Sequence, residues 1–277
     1  MSNSSSHEPR LPTTGPKLPP RKRTDFGAAF TDGADRYRAV RPSYPEDALD
    51  FILGDTAKAE AAEESRVVEL GAGSGQLTQK LLQRGYRVHA TEPSAPMLRA
   101  LSTHLGHHEN LEASVAAAED TGLPAGSADI VVAAQAWHWF DVPAATAEAA
   151  RISVPQARLG LIWNQLDVSQ PWVHRLSRIM HAGDVHGIEW RPPLQPGYYG
   201  PAEMFHTYWS QSMDIERIVQ LAQTRTYWLK AKDATRKRVE ENIRWYLREE
   251  TGFGDDDTID LPYRCSALRT NLLPQPA

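Results

Sequence analysis

Three glycines at alternate positions, Gly71, Gly73 and Gly75, stand between an apolar run and a helical pattern. The run, Val67-Val68-Glu69-Leu70, has the composition of a strand covered on both faces. Residues without a Cβ let the backbone turn sharply and approach a ligand closely. With the carboxylate of Glu69 just before the turn, the stretch predicts a nucleotide-type cofactor loop. A second acid, Glu92, follows the next strand pattern, Arg87 to Thr91, within Glu92-Pro93-Ser94. Its two acceptor oxygens suit ribose hydroxyls. A dinucleotide loop of the Gly-x-Gly-x-x-Gly type needs a third glycine where Gln76 stands, so the spacing disfavours NAD and an oxidoreductase.

Other reactive side chains cluster in Gln135-Ala136-Trp137-His138-Trp139-Phe140-Asp141. His138 is the one candidate base there, with orientation of a substrate or a backbone hydrogen bond as its other readings. Arg41, in Arg41-Pro42-Ser43-Tyr44-Pro45, is suited to bidentate carboxylate binding. With Tyr44 it either holds an acidic substrate or ties the N-terminal segment to the sheet. Trp137 and Trp163 adjoin the ends of strand patterns and are the expected pocket walls, although large aromatics more often fill cores. His104, His107 and His108 invite a metal reading, but Gly106 interrupts the helix that would align them, and a solvated loop is expected. Cys265 lies in a strand pattern and reads as core.

The elements that must position these groups alternate. Pro45 opens a helix through Leu53, and the glycine loop leads into one bearing Leu77, Leu81 and Leu82. Ser94 caps a helix bearing Met97, Leu98, Leu101 and Leu105. Strands are expected over Leu111–Ala118, Asp129–Ala134 and Ala157–Trp163, with a helix started by Asp141 and Pro143 before the last. Residues Phe205–Trp209 form a sixth strand and Thr258–Arg269 its hairpin partner, with helices over Met213–Gln223 and Ala234–Glu249 between them. The rhythm predicts an α/β fold: a Rossmann-like, doubly wound, mostly parallel seven-stranded sheet with an antiparallel last strand and a helical and loop cover. Loops after the strands then share one edge, which collects Glu69 to Gly75, Glu92, Ala118 to Asp120, Gln135 to Trp139 and Asn164. Residues 164–204, rich in Trp, Tyr, Pro and Gly, read as an insertion folding over that edge and covering the substrate.

Composition narrows the function. Residues 1–23 are Ser- and Pro-rich and end in Arg21-Lys22-Arg23, a disordered tail before one domain over 24–277. A formal net charge of -5 lacks the basic field of a nucleic-acid binder. A single cysteine excludes an internal disulfide and fits a reducing compartment. No apolar run is long enough to span a bilayer and no signal-peptide core is present, so a cytoplasmic protein without membrane contact is expected. Oligomeric state leaves no trace in the sequence.

Glu69-Leu70-Gly71-Ala72-Gly73-Ser74-Gly75 resembles motif I of class I S-adenosylmethionine (SAM)-dependent methyltransferases. Tyr37, Arg41-Pro42, Tyr44-Pro45, Ala118-Glu119-Asp120, Ala134 to Phe140, Thr226-Tyr227 and Leu261-Pro262-Tyr263-Arg264 extend the resemblance over nearly the whole chain from about Phe26. They are similar to a small-molecule subgroup that includes trans-aconitate methyltransferase-like proteins. The resemblance implies SAM as cofactor, with Glu69, Gly71, Ala72, Gly73 and Gly75 passing its methionine part and Glu92 with Pro93 at the ribose. It places Met97 on the adenine or else in the core, and Ala118 and Glu119 beside the adenine amino group or else in a surface turn. Gln135 and Ala136 close the floor near the sulfonium. The activity implied is methyl transfer by in-line displacement to a small-molecule acceptor, a carboxylate among the candidates. The competing readings are a non-catalytic SAM-binding interaction protein and a methyltransferase acting on a macromolecule.

Overall fold

A computed structural model of the chain describes residues 38–54, 62–183 and 186–274. The expected tail and, of the residues that carry the family resemblance, Tyr37 lie outside the described residues. Seven strands form one sheet: β1 (Arg66–Leu70), β2 (Arg87–Thr91), β3 (Leu111–Ser114), β4 (Ala128–Ala134), β5 (Ser153–Leu166), β6 (Glu203–Met213) and β7 (Ile259–Asn271). Their order is β3-β2-β1-β4-β5-β7-β6. The first five run parallel, while β7 is antiparallel to both β5 and β6. The doubly wound sheet with its antiparallel last strand is therefore the fold observed.

Helices α1 (Glu46–Leu53), α2 (Gln76–Gln83), α3 (Ala95–Leu105) and α4 (Val142–Ile152) pack on the sheet. Leu49, Ile52 and Leu53 of α1 and Leu77 and Leu81 of α2 join Val67, Val88, Ile130 and Ile162 in one core layer. Ala145, Ala149 and Ile152 of α4 join Val68, Leu70, Val131 and Leu161 in the other. Ser94 and Asp141 cap α3 and α4 by accepting from Met97 N and Ala144 N. Cys265 is buried in β7 with the first layer.

A third core lies beyond the end of β5. Helices α5 (Pro171–Ile179), α6 (Ile215–Gln223), α7 (Thr226–Lys230) and α8 (Asp233–Trp245) gather there. Val173 and Leu176 meet Ile218, Leu221, Val239 and Ile243 over Leu261 and Tyr263 of β7. The chain between β6 and β7 builds this cover together with α5, so the two strands are paired but joined by a helical layer, not by a hairpin turn.

Three element readings change. The third strand stops at Ser114, because Val115 faces solvent and Ala117 turns back to bridge Asp120. The fifth strand extends to Leu166, since β7 pairs with it residue by residue from Arg158 to Leu166. The last helix passes into a π-helical turn over Tyr246–Glu250, which buries both Tyr246 and Leu247 and lets the Tyr246 hydroxyl donate to Trp172 O at 3.0 Å.

Helix α1 crosses the sheet at Gly160 of β5. A Cβ there would stand 2.9 Å from Ile52 Cβ and 3.5 Å from Val132 Cγ1. Gly160→Ala should therefore overpack this crossing and cost about 1–3 kcal/mol. Urea denaturation would read this as a lower midpoint at unchanged slope; an unaltered midpoint would show that α1 shifts freely.

Candidate active site

The loops following β1, β2 and β4 meet at one edge of the sheet, as the parallel order requires. Backbone hydrogen bonds lace the first two together. Gly71 N and Ala72 N both donate to Thr91 O, at 2.9 and 3.0 Å, and Thr91 Oγ1 donates to Glu69 O at 3.0 Å. The Glu92 carboxylate closes the joint: Gly73 N donates to Oε2 at 3.0 Å and Ser94 N to Oε1 at 2.9 Å. Each oxygen keeps a further lone pair for a ligand hydroxyl. Burial pushes the Glu92 carboxyl up, and these two N–H donors pull against the rise.

The glycines have separate tasks. Gly71, Gly73 and Gly75 adopt φ of 71°, 57° and 90°, the left-handed region. A Cβ on Gly71 would lie 2.9 Å from Ala136 Cβ, and one on Gly75 would lie 2.9 Å from Leu101 Cγ. Gly71 thus admits the loop after β4, and Gly75 lets α2 begin against α3. Gly73 faces only the Met97 methyl, at 3.7 Å. Ser74 between them buries a hydroxyl with no partner among the described residues. An open backbone cradle with an orphaned hydroxyl beside it is what a polar ligand would complete.

Glu69 sits beneath this loop, fully buried, and its Oε2 accepts from Thr78 Oγ1 at 2.6 Å. Burial raises its pKa to about 8, the Thr78 hydrogen bond opposes the rise, and the nearby Glu92 adds to it.

The remaining sequence-selected residues divide. Gln135 has a left-handed φ of 55°, and its Nε2 donates to Asn164 O at 2.6 Å. Ala136 is buried against Gly71, and Met97 is buried beside Gly73. Pro93 is exposed at the rim. Ala118 is core, and Glu119 Oε1 accepts from Asp141 N at 2.7 Å, fixing the start of α4. Tyr44 is buried and packs in the core layer of α1. The two tryptophans expected as pocket walls are both buried. Trp137 is 0% exposed and donates its Nε1–H to Pro193 O at 2.8 Å; Trp163 is 2% exposed and meets Trp190 edge-on at 5.0 Å.

His138 is half-buried, and its Nδ1 accepts from Trp163 Nε1 at 3.3 Å. A neutral imidazole whose Nδ1 accepts carries its proton on Nε2. Arg41 lies on a cleft shared with Gln135, Asn164, Gln165, Arg225 and Tyr263, and its Nη2 donates to Thr224 O at 3.1 Å. Arg225 and Tyr263 escaped the site reading of the sequence: the first follows α6 by two residues and the second lies inside β7, positions that no motif spacing marks as ligand-facing. His104 takes its Nε2 to Arg38 Nη1 at 2.9 Å, and no described group of three or more His, Cys, Asp or Glu has metal-binding geometry.

The raised carboxyl of Glu69 gives a pH signature. Between its unfolded value of 4.5 and about 8 the folded state keeps a proton that the unfolded state has lost, so stability falls as pH rises through that window. Glu148, held at about 2 by Arg151, acts in the opposite sense and only below about 4.5. Glu69→Gln should flatten the decline of the ligand-free Tm between pH 5 and 8. An identical slope in the variant would place the buried proton elsewhere.

Comparison with known proteins agrees with this geometry. Residues 68–161 match the family model described as a methyltransferase domain. An uncharacterized methyltransferase of Mycobacterium tuberculosis is 31% identical over 250 residues, covering 90% of this chain and 98% of that one. An uncharacterized methyltransferase-like protein of Schizosaccharomyces pombe is 27% identical over 256 residues, covering 90% and 97%. Among solved structures, a protein of Anaeromyxobacter dehalogenans assigned to the type II methyltransferases superposes with a TM-score of 0.53 at 24% identity, covering 84% and 96%, which speaks for the fold alone. A match that runs the length of both chains, on a sheet of this order, places the chain in the SAM-dependent methyltransferase family.

Proposed function

We propose that the acceptor is a small molecule and that the atom methylated is a carboxylate oxygen. SAM, when bound, would supply a methyl group on a sulfonium; the acceptor oxygen would take it and the electron pair of the C–S bond would stay on sulfur. The residues present fit that cofactor. The open backbone at Gly73 and the orphaned Ser74 hydroxyl would pass its methionine part. The remaining lone pairs of Glu92 would take ribose hydroxyls. Met97, beside the loop, would pack on the adenine, and Gln135 with Ala136 would floor the reacting end. Ala118, Glu119 and Pro93 would frame the rim.

The observation that carries the acceptor class is the hydrogen bond from Trp163 to His138. It occupies the Nδ1 lone pair, so that nitrogen is not placed to remove a proton from an acceptor. A phenol, alcohol or ammonium would have to lose a proton, whereas a carboxylate is already ionised at neutral pH. The role left to His138 is to steer an anionic oxygen, with Arg41 supplying positive charge at the same edge. The helical cover and residues 186–202 would exclude water from that oxygen.

Glu92→Ala should weaken SAM binding at least tenfold in calorimetric titration of the full chain, about 1.4 kcal/mol; unchanged affinity would refute the ribose assignment. Across a panel of acids, phenols and amines, carboxylic acids should be the substrates. With them His138→Ala should lower kcat/KM about three- to tenfold, without the thousandfold loss expected of a missing base. Turnover of phenols or amines alone would overturn the carboxylate reading, and SAM binding with no turnover on any acceptor would favour a binding protein.

A further inference from the structure

The cleft holding Arg41 contains a group that the methyl-donor site does not use. Tyr263 is 2% exposed, and its hydroxyl has no hydrogen-bond partner among the described residues. Its ring is fixed: it sits in β7 opposite Leu166 of β5 and Trp209 of β6, and it stacks on Trp209 at 5.4 Å. Such a hydroxyl is costly in a sealed core, where phenylalanine would fill the same space. Here it lines a cleft together with Arg41, Arg225, Gln135, Asn164 and Gln165. Burial pushes the phenol up to about 12, while the charges of Arg225 and Arg41 pull it down, so both guanidinium groups act on the hydroxyl.

The three amides of the cleft are already engaged. Gln135 Nε2 donates to Asn164 O, Asn164 Nδ2 donates to Ser43 O, and Gln165 Oε1 accepts from Arg264. The Tyr263 O–H therefore remains as a donor for an incoming group, in the field of two cations. No Asp or Glu is among the described lining residues. A neutral ligand would forgo the charge of the two guanidinium groups, whereas an oxyanion can accept from the Tyr263 O–H within their field.

We propose that Tyr263, Arg225 and Arg41 form the subsite that holds the anionic end of the acceptor, making Tyr263 and Arg225 specificity-determining residues. This rests on the carboxylate reading above. It adds the residues that recognise the charge, in a cleft that Gln135 also lines. The position explains why the motif loops say little about the acceptor. Arg225 comes from the cover and Tyr263 from the antiparallel strand, while Gln135 is the link to the cofactor edge.

The full chain, loaded with S-adenosylhomocysteine, should be titrated in turn with succinate, citrate, benzoate and the uncharged succinamide. At least one acid should bind and succinamide should not. Arg225→Gln should weaken that acid at least tenfold, Arg225→Lys less, and Tyr263→Phe at least threefold. S-Adenosylhomocysteine affinity should stay within twofold throughout. Tyr263→Phe should also leave Tm unchanged or raised, because it removes an unpaired buried hydroxyl; a lowered Tm would mark the hydroxyl as structural and overturn its role here. No acid binding to wild type, or equal binding to all variants, would overturn the subsite. Acid binding lost in the variants, with no acid methylated by wild type, would keep the subsite and sink the carboxylate acceptor. Methylation of an acid with unchanged KM in both Tyr263→Phe and Arg225→Gln would do the reverse.

Discussion

The Glu92 carboxylate, drawn between Gly73 N and Ser94 N, is the interaction on which the cofactor edge depends. It ties the turn after β1 to the turn after β2 with charge-assisted hydrogen bonds, each contributing about 1.5–3 kcal/mol. With Gly71 and Ala72 donating to Thr91, the two turns become one rigid unit. A buried carboxylate is tolerable only because backbone N–H groups reach it, one from Gly73 in a left-handed conformation and one from the extended Ser94. Glycine spacing, strand ends and the acid are thus one constraint expressed three times.

The second strand of organisation is the covering of the sheet edge. Trp137 and Trp163 give their surfaces to residues 186–202 and spend their N–H groups on Pro193 and His138. The imidazole orientation is therefore set by the cover, through Trp163, as much as by the loop that carries it. The helical layer does the same on the other side: Arg225 at its edge meets Tyr263 across the end of β5.

Much of this was legible beforehand. The alternation of apolar runs and amphipathic helices carried the sheet, the caps at Ser94 and Asp141, and the packed faces of α1 to α3, because periodicity and capping are local properties. The glycine loop and Glu92 were legible in the same way, whereas the task of Gly71, admitting Ala136 from the loop after β4, was not. Strand limits were less legible. Leu111–Ala118 reads as one run, yet only its first half has a neighbour to pair with. The fifth strand outran its apolar pattern because β7 supplied partners.

The aromatic and charged residues divide by the same logic. An indole at a strand end can face a ligand or a loop, and its own residue type is identical in both cases; the segment that buries Trp137 and Trp163 lies some thirty to sixty positions further on. Whether His138 donates or accepts is likewise decided by a tryptophan on another strand. Arg225 and Tyr263 are 38 positions apart and meet only when β7 inserts between β5 and β6. The sequence by itself determined the fold, the cofactor loop and its anchoring acid, since these arise from short-range spacing. The hydrogen bond at His138 Nδ1, the burial of the tryptophans and the composition of the second cleft were decided by tertiary structure alone, because each depends on a partner that only chain topology brings within a few ångströms.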